Sequence, residues 1–316
     1  MKPTRKTYWH LGADRRLPSD YEIASSKLLY YVDRGGFALE LPTSGFYRRH
    51  QAGSLLVSDR WDELCDPRAT TYTKYVDLAR EREGFVGRLL TSIEESDHDR
   101  ELPAAWVETL GGALSPLRFL CHGLQMVAAY VGQMAPGGRI AVAALFQCGD
   151  EIRRIQRFAY RLALLARRRP DVGAAGRKLW QSDPRWQPLR QAIEKLLCTY
   201  DWGEAFVALN VCLKPMIDNV FLLQLAELAD RSRDHLDGQI LRSLFEDCQW
   251  HRDWTDALLA LATADRPDNL VVVARWIDAW TPTVDAAARA AAVLLGTERR
   301  AAPAFTGDPK EGGALG

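Results

Sequence analysis

The sequence has no excess of charge of either sign, because its 41 Lys and Arg residues balance its 41 Asp and Glu residues. A chain without a net field does not draw nucleic acid or an anionic membrane toward itself. Its basic residues are also scattered rather than clustered, so a nucleic-acid-binding function is not expected. Polar residues interrupt the most apolar stretches, LQMVAAYVGQM and FVALNVCLKPMIDNVFLLQLAELA, which therefore predict buried core helices rather than membrane spans.

Cysteine pairs at metal-binding spacing are absent too. The six cysteines never occur as Cys-x-x-Cys, which argues against a structural zinc site. The first residues, MKPTRKTYWHLGADRR, contain no apolar segment of the kind that a secretory signal has. We therefore expect a cytoplasmic protein with reduced thiols.

Runs of strand-forming residues are missing, and helical periodicity takes their place from about residue 67 onward. Apolar residues recur at spacings of three and four through six segments, with Pro and Gly between them. We predict helices over approximately 67–95, 101–134, 139–168, 189–228, 235–264 and 268–295. The short breaks make neighbouring helices antiparallel. The predicted fold class is therefore all-α, a helical bundle within residues 61–296.

Residues 1–60 differ from the rest, because they are dense in Pro, Gly, Tyr and charge and have little periodicity. We predict an extended N-terminal arm with one short helix near SDYEIASSKLLYYV, begun by a capping box of Ser19 and Glu22. Its many aromatic side chains are unfavourable in solvent, so we expect the arm to lie on another protein surface; a mobile terminus is the alternative. Residues 297–316 are predicted to be a disordered tail.

The stretch Cys148–Gln156, CGDEIRRIQ, resembles a metal-binding helix with one residue changed. In bundle proteins that hold two iron ions, a helix offers Glu-x-x-His, which places a carboxylate and an imidazole on one face. Here Glu151 is followed by Arg154 at the histidine position, and a guanidinium has no lone pair to donate to a metal.

Counting outward from the predicted turns locates the remaining ligand positions. Around the turn at Pro136 to Gly138, Glu151 lies level with Cys121. Around the turn in 230–238, Lys214 lies at about the level of Cys248 and His251, which are three residues apart. Two hairpins with one carboxylate position on the first helix and Glu-x-x-His on the second form the plan of the ferritin-like di-iron bundle.

Only Glu151 and His251 keep a residue type that suits iron, while Arg154 and Lys214 place cations at ligand positions. We therefore predict that this chain has no metal site and no catalytic residue. A buried Glu151 needs a counter-charge, so we predict a buried ion pair with Lys214 or Arg154. Taken one at a time, these residues also have ordinary explanations that involve no metal site. Glu151 and Arg154 could form a surface ion pair, His251 could be a structural histidine, and Cys121 and Cys248 could be buried thiols.

Longer segments carry a resemblance to one protein family along nearly the whole chain. They are TYWHL, PSDYEIASSKLLY, SPLRFLCHGLQMVAAYVGQMAP, DWGEAFVALNVCLKPMI, HRDW and RWIDAW. These segments are similar to the beta subunit of the hydroxylase in bacterial multicomponent monooxygenases, and most similar to the branch that oxidises toluene, benzene and alkenes.

The resemblance implies what surrounds this chain. In that family the hydroxylase is a dimer of alpha-beta-gamma protomers, alpha holds the di-iron centre, and beta has the same ferritin-like fold without metal. The arm of beta lies across alpha. An NADH reductase, a Rieske ferredoxin and a small regulatory protein act with the complex, which inserts one oxygen atom of O2 into an aromatic hydrocarbon or an alkene such as propene or isoprene. The pocket that selects the substrate lies in alpha.

A scaffold subunit is expected to contact its partners through aromatic and methionine side chains. The candidates are Met126, Tyr130 and Met134, at four-residue spacing along one helix, together with Trp9, Tyr21 and Trp61. The three helical residues could equally belong to the core of the bundle itself. The alternative function is a self-sufficient ferritin-like oxidase or metal-binding protein, which requires more ligand residues than the two that remain.

Overall fold

The computed structural model describes residues 18–26 and 42–296, and within these residues all regular secondary structure is helical. This confirms the predicted all-α class. The α-helices are α1 (Asp20–Ser26), α2 (Pro42–Tyr47), α3 (Tyr72–Glu95), α4 (Ala104–Met134), α5 (Gly138–Arg168), α6 (Gly176–Ser182), α7 (Gln187–Leu197), α8 (Trp202–Val207), α9 (Lys214–Asp218), α10 (Leu225–Arg231), α11 (His235–Asp265) and α12 (Asn269–Leu295). Shorter elements are 3-10 helices at Trp61–Glu63 and His98–Arg100 and π-helical segments at Arg48–Ala52, Ala208–Leu213 and Asn219–Gln224.

Two hairpins form the centre of the bundle. Helices α4 and α5 turn at residues 135–137 and pack against each other along their length. The second hairpin joins the continuous helical stretch Trp202–Arg231, which contains α8, α9 and α10, to α11 through residues 232–234. Helix α3 packs against α11 and α5, and α12 packs against α7 and α8. Both turns lie where the breaks in periodicity predicted them.

The stretch Trp202–Arg231 is long and apolar enough to cross a membrane by length and composition alone. However, 72% of its most apolar window is buried inside the bundle. Three almost completely buried tryptophans contact it: Trp186 stacks on Phe221, Trp254 packs against Phe206, and the Trp280 indole donates to Glu204. Burial by the protein itself accounts for the apolar composition of this stretch.

Side-chain caps decide where several helices begin. The Asp201 carboxylate accepts hydrogen bonds from the backbone N–H groups of Gly203 and Glu204, at 2.9 and 3.0 Å. This cap corrects the single helix predicted over 189–228, because α7 ends at Leu197 and a new helix starts at Trp202. The short helix α6 was not predicted.

The N-terminal helix α1 begins as the capping box predicts. The backbone N–H of Ser19 donates to Glu22 Oε2 at 2.7 Å, and the backbone N–H of Glu22 donates to Ser19 Oγ at 3.2 Å. Each side chain thus accepts from the backbone of the other, which satisfies two donors that the first turn of a helix leaves free.

The last residues of the predicted arm pack on the chain's own bundle. Leu56 is 1% exposed and belongs to the core. Ser54 Oγ donates to Asp201 Oδ1 at 2.7 Å, and the Asn269 side chain bonds to the backbone of Val57 in both directions. The bundle therefore begins before the predicted boundary at residue 60. The rest of the predicted arm, residues 1–17 and 27–41, and the tail, 297–316, lie outside the described residues.

Candidate functional site

The predicted ligand positions lie inside the bundle, on the helices that face one another at its centre. Each of the six residues is at most 2% exposed. They are Cys121 on α4, Glu151 and Arg154 on α5, Lys214 on α9, and Cys248 and His251 on α11.

An irregular helix positions Lys214. Helix α9 is a short α-helical piece between two π-helical segments. Pro215 has no N–H to donate and its ring crowds the carbonyl of Val211, so the chain before it cannot keep regular α-helical geometry. Such π-helical turns often occur at functional sites. Lys214 and Asp218, four residues apart on this piece, are both buried.

Four buried charges form a closed ring, which we term the core cluster: Glu151, Arg154, Lys214 and Asp218. Lys214 Nζ lies 2.7 Å from Glu151 Oε1 and 3.0 Å from Asp218 Oδ2. Arg154 Nη1 lies 3.1 Å from Glu151 Oε2 and 2.9 Å from Asp218 Oδ1. Carboxylates and cations alternate around the ring, so the buried charges balance.

The neighbours in the ring keep Lys214 and Asp218 ionised. Burial raises the pKa of a carboxyl group, but the Arg154 and Lys214 cations hold the pKa of Asp218 at about 2. Burial and the Arg154 cation lower the pKa of Lys214, yet the Asp218 and Glu151 carboxylates outweigh them and raise it above its usual value. The ring thus holds an ammonium and a carboxylate at neutral pH.

The two thiols beside the ring are protonated. Burial and the Glu151 carboxylate raise the pKa of Cys121 to about 12. Burial likewise raises the pKa of Cys248, whose Sγ accepts a hydrogen bond from Arg154 Nη2 at 2.6 Å. Because the thiolate is the form that binds metals, these cysteines do not replace the missing carboxylate ligands.

His251 faces an acid outside the core cluster. Its Nε2 lies 2.8 Å from Asp150 Oδ2, and Asp150 Oδ1 also accepts a hydrogen bond from the Tyr75 hydroxyl at 2.9 Å. Burial and the Lys214 cation hold the pKa of His251 well below its usual value, so the imidazole is neutral. Burial raises the pKa of Asp150 to about 6. The second ring nitrogen of His251, Nδ1, is buried without a hydrogen-bond partner.

The donor set does not fit a di-iron centre. Within residues 18–26 and 42–296, no group of three or more His, Cys, Asp or Glu side chains is arranged to hold a metal ion. An ammonium and a guanidinium stand where carboxylate and imidazole ligands are required, and both form ion pairs with the Glu151 and Asp218 carboxylates. Inside the core, the two cations and the two carboxylates of the site neutralise one another's charge.

Sequence reasoning missed three residues of this site. Asp218 closes the ring, and its signal is the four-residue spacing from Lys214, which puts both side chains on one helix face. Asp150 binds His251 and also accepts a hydrogen bond from Tyr75. No spacing predicts the contact of Tyr75, because this residue comes from α3 and reaches the site only through helix packing.

A second group of buried charges lies two helical turns further along α5. We term it the helix-end cluster: Arg161, Asp99, Asp237, Asp234 and His98. The Arg161 guanidinium donates to both oxygens of Asp99, at 2.8 and 2.6 Å, and its Nε lies 2.8 Å from both oxygens of Asp237. Asp234 Oδ1 lies 2.9 Å from His98 Nε2. The acids come from the His98–Arg100 turn and from the start of α11.

The predicted interface residues within the described part of the chain differ in how exposed their side chains are. Met126 is 46% exposed and Met134 is 1% exposed, in the core. This corrects the proposed stripe, because four-residue steps advance 40° around a helix and the third member has rotated inward. The half-buried members make contacts within the chain: Tyr130 donates to the carbonyl of Tyr200, Trp61 packs against Trp202, and Tyr21 accepts from the backbone N–H of Asp66. Trp9 lies outside the described residues.

Comparison with protein families gives a direct match for this bundle. The methane/phenol/alkene hydroxylase family matches residues 44–266. The chain is 37% identical over 303 residues to the hydroxylase component subunit beta of the toluene-4-monooxygenase system from Ectopseudomonas mendocina, covering 94% of this chain and 92% of that protein. It is 25% identical over 267 residues to the hydroxylase small subunit of propane 2-monooxygenase from Gordonia sp. strain TY-5, covering 81% of this chain and 68% of that protein.

Solved structures share the arrangement of helices. A chain of toluene 4-monooxygenase, in a structure with toluene bound in the resting active site, superposes with a TM-score of 0.85 and 35% identity, over 89% of this chain and 95% of that chain. A chain of phenol hydroxylase from Pseudomonas sp. OX1 superposes with a TM-score of 0.81 at 20% identity, over 93% of this chain and 89% of that chain. The second match concerns the fold alone.

Proposed function

The chain belongs to the methane, phenol and alkene hydroxylase family, and we propose that within it this chain is the non-catalytic beta subunit of a soluble di-iron monooxygenase hydroxylase. The match to a hydroxylase beta subunit extends over nearly the whole length of both chains. One structural observation carries the non-catalytic role. The core cluster places two cations, Arg154 and Lys214, at ligand positions, where they pair with the Glu151 and Asp218 carboxylates and would repel a metal ion.

The proposed role is that of a scaffold. The subunit pairs with an alpha subunit that holds the di-iron centre and, with a gamma subunit, forms a dimer of alpha-beta-gamma protomers. The N-terminal residues before α2 pack on alpha. Large helical interfaces of this kind are apolar and rich in aromatic residues. The complex acts in the cytoplasm with a regulatory protein, a Rieske ferredoxin and an NADH reductase.

The proposed reaction inserts one oxygen atom of O2 into an aromatic hydrocarbon or an alkene. A relative that matches over 94% of this chain is part of a toluene-4-monooxygenase system, which supports an aromatic substrate. Selection among hydrocarbons belongs to the alpha subunit, because the core of this chain is filled by its own charged and aromatic side chains.

The test is to purify the full chain alone and together with its alpha and gamma partners, and to measure iron per chain by mass spectrometry beside the mass of each assembly. We expect iron only in the three-subunit assembly, with less than one tenth of an iron per chain in the isolated beta subunit.

The matched control is the Glu151→Gln variant in the three-subunit assembly. Removing the one carboxylate at a kept ligand position should leave the iron content of the assembly unchanged, because the iron is held by alpha. About two irons on the isolated, folded chain, lost in Glu151→Gln, would instead identify it as a self-sufficient oxidase.

A further inference from the structure

Two buried polar atoms at the core cluster have no hydrogen-bond partner in the described part of the chain. They are Glu151 Oε1 and His251 Nδ1, on residues that are 0% and 2% exposed. The charge of the Lys214 ammonium, 2.7 Å away, is what holds Glu151 Oε1. A buried polar atom without a partner is costly, so two of them at one site call for an explanation.

The imidazole of His251 is held in the way that proteins hold a metal-ligating histidine. Such a histidine bonds to a carboxylate through one ring nitrogen, which fixes the ring and leaves the other nitrogen for the metal. Here Nε2 lies 2.8 Å from Asp150 Oδ2, and Nδ1 is directed away from Asp150. After burial, the Lys214 charge has the largest effect on the pKa of His251, so the ammonium and the ring lie close together.

The Lys214 ammonium takes the place that a cation would have among these groups. Its Nζ lies 2.7 Å from Glu151 Oε1 and 3.0 Å from Asp218 Oδ2. Arg154 pairs with the other oxygens, Glu151 Oε2 and Asp218 Oδ1. Without the ammonium, one oxygen of each carboxylate is free while Arg154 still holds both side chains. Two carboxylates and one guanidinium then leave a net negative charge, which favours a cation in the vacated space.

We propose that Lys214 is the residue that keeps a metal ion out of this chain. Its removal opens a site for a single Zn²⁺ or Co²⁺ ion, held by Glu151, Asp218 and His251. Imidazole with carboxylate oxygens suits these ions, at metal–ligand distances of about 2.0–2.2 Å. The present contacts with the ammonium are longer, in keeping with the finding that no group within residues 18–26 and 42–296 is arranged to hold a metal. The site belongs to this chain alone, so the inference does not depend on assembly with alpha and gamma.

The test measures Co²⁺ binding to the full chain for two variants that both remove the ammonium. Lys214→Ala leaves room for an ion, whereas Lys214→Met fills that room with an apolar side chain of similar length. Co²⁺ with three protein ligands and a water absorbs visible light far more strongly than the hydrated ion, so a titration gives stoichiometry and affinity. We expect about one Co²⁺ per chain in Lys214→Ala, and binding that is weaker by about tenfold or more in Lys214→Met and in the wild type.

Two further changes to the Lys214→Ala chain separate this site from adventitious binding at the surface. Adding Glu151→Gln removes a ligand and should abolish the visible absorption. Adding Asp150→Asn keeps all three ligands but alters the carboxylate that positions His251, which should weaken Co²⁺ binding by about 10- to 100-fold. If Asp150 had a structural role only, the affinity would not change.

A Lys214→Ala chain that does not fold by itself still tests the inference, because metal binding then contributes to folding. Its helical signal in circular dichroism should return with Co²⁺ and not with Mg²⁺, which prefers oxygen ligands alone. The inference is wrong if Lys214→Ala neither binds Co²⁺ nor is rescued by it, or if the wild type or Lys214→Met binds equally well. It is also wrong if Glu151→Gln or Asp150→Asn leaves the affinity unchanged. Failure of the proposed function looks different, because the wild-type chain would then fail to bind alpha and gamma.

Discussion

The core cluster and the helix-end cluster both bury charges on α5, yet they are assembled from different parts of the fold. The acids of the helix-end cluster sit at helix starts and turns. There Asp234 also accepts hydrogen bonds from the Trp106 indole at 2.8 Å and the backbone N–H of Asp237 at 3.2 Å. The charges of the core cluster come from helix interiors, and their ion pairs are with one another.

This difference separates two reasons for burying charge. A carboxylate that caps a helix accepts hydrogen bonds from backbone N–H groups that have no partner within the helix. This structural role is enough to explain why the carboxylate is there. Glu151 and Lys214 satisfy no such backbone need, and a buried ion pair is often no more stabilising than apolar residues of the same volume. Under the proposed function, their location at the ligand positions of a di-iron bundle accounts for them. Buried charge alone is therefore no sign of a former metal site, and the proposal rests on where in the helices these charges lie.

The largest effect is expected from Arg161→Leu in the helix-end cluster. The substitution leaves Asp99 and Asp237 buried without the guanidinium that serves both, and breaking a buried pair costs about 3–5 kcal/mol. Urea denaturation of the full chain measures the loss in the free energy of unfolding.

Arg161→Lys is the control, because it keeps the positive charge but removes the planar guanidinium group. An ammonium cannot reproduce two bidentate contacts at once, so part of the loss should remain. A variant as stable as the wild type would show that charge alone, and not the guanidinium fork, holds these helix ends together.

A smaller loss is expected from Lys214→Met in the core cluster, about 3 kcal/mol, because Arg154 still faces both carboxylates. The excess negative charge should be removed by adding Glu151→Gln, which leaves one cation and one carboxylate. We expect the double variant to regain at least half of the lost free energy of unfolding. If the two losses simply add, the ring is not a coupled unit.

The smallest expected effect concerns how the free energy of unfolding changes with pH. Above neutral pH, we expect a change from the helix-end cluster and none from the core cluster. The hydrogen bond with Asp234 raises the pKa of His98. A raised pKa in the folded protein gives stability that is complete below the unfolded value, about 6.5, and is lost as pH rises through the folded value. The pKa of His251 is held well below its usual value, so this residue is neutral in the folded protein. Its contribution to the slope is confined to pH values near its unfolded pKa of about 6.5 and is the same in every variant that keeps His251.

The measurement is the free energy of unfolding at steps between pH 6 and pH 9, for the wild type and for His98→Gln. The wild type should lose up to about 1 kcal/mol relative to the variant across this range, because His98 is only partly buried. Parallel curves for the two proteins would mean that the contact with Asp234 does not alter the proton affinity of His98.

The sequence alone was sufficient for much of this structure. Its periodicity and punctuation predicted the long helices and both central turns, because an amphipathic stripe and a turn are local properties of the chain. The loss of ligand chemistry at Arg154 and Lys214 was also readable, since a residue type either has a lone pair for a metal or lacks one.

Tertiary packing decided the rest. Spacing places Lys214 and Asp218 on one helix face, but only the surrounding helices turn that face inward and close the ring with Glu151. Packing also moved Met134 into the core and Leu56 into the bundle, and it directed the charges of α5 inward while leaving Leu145 outside. Which face of a helix is buried depends on what its neighbours cover, and that information is not local to any segment of the chain.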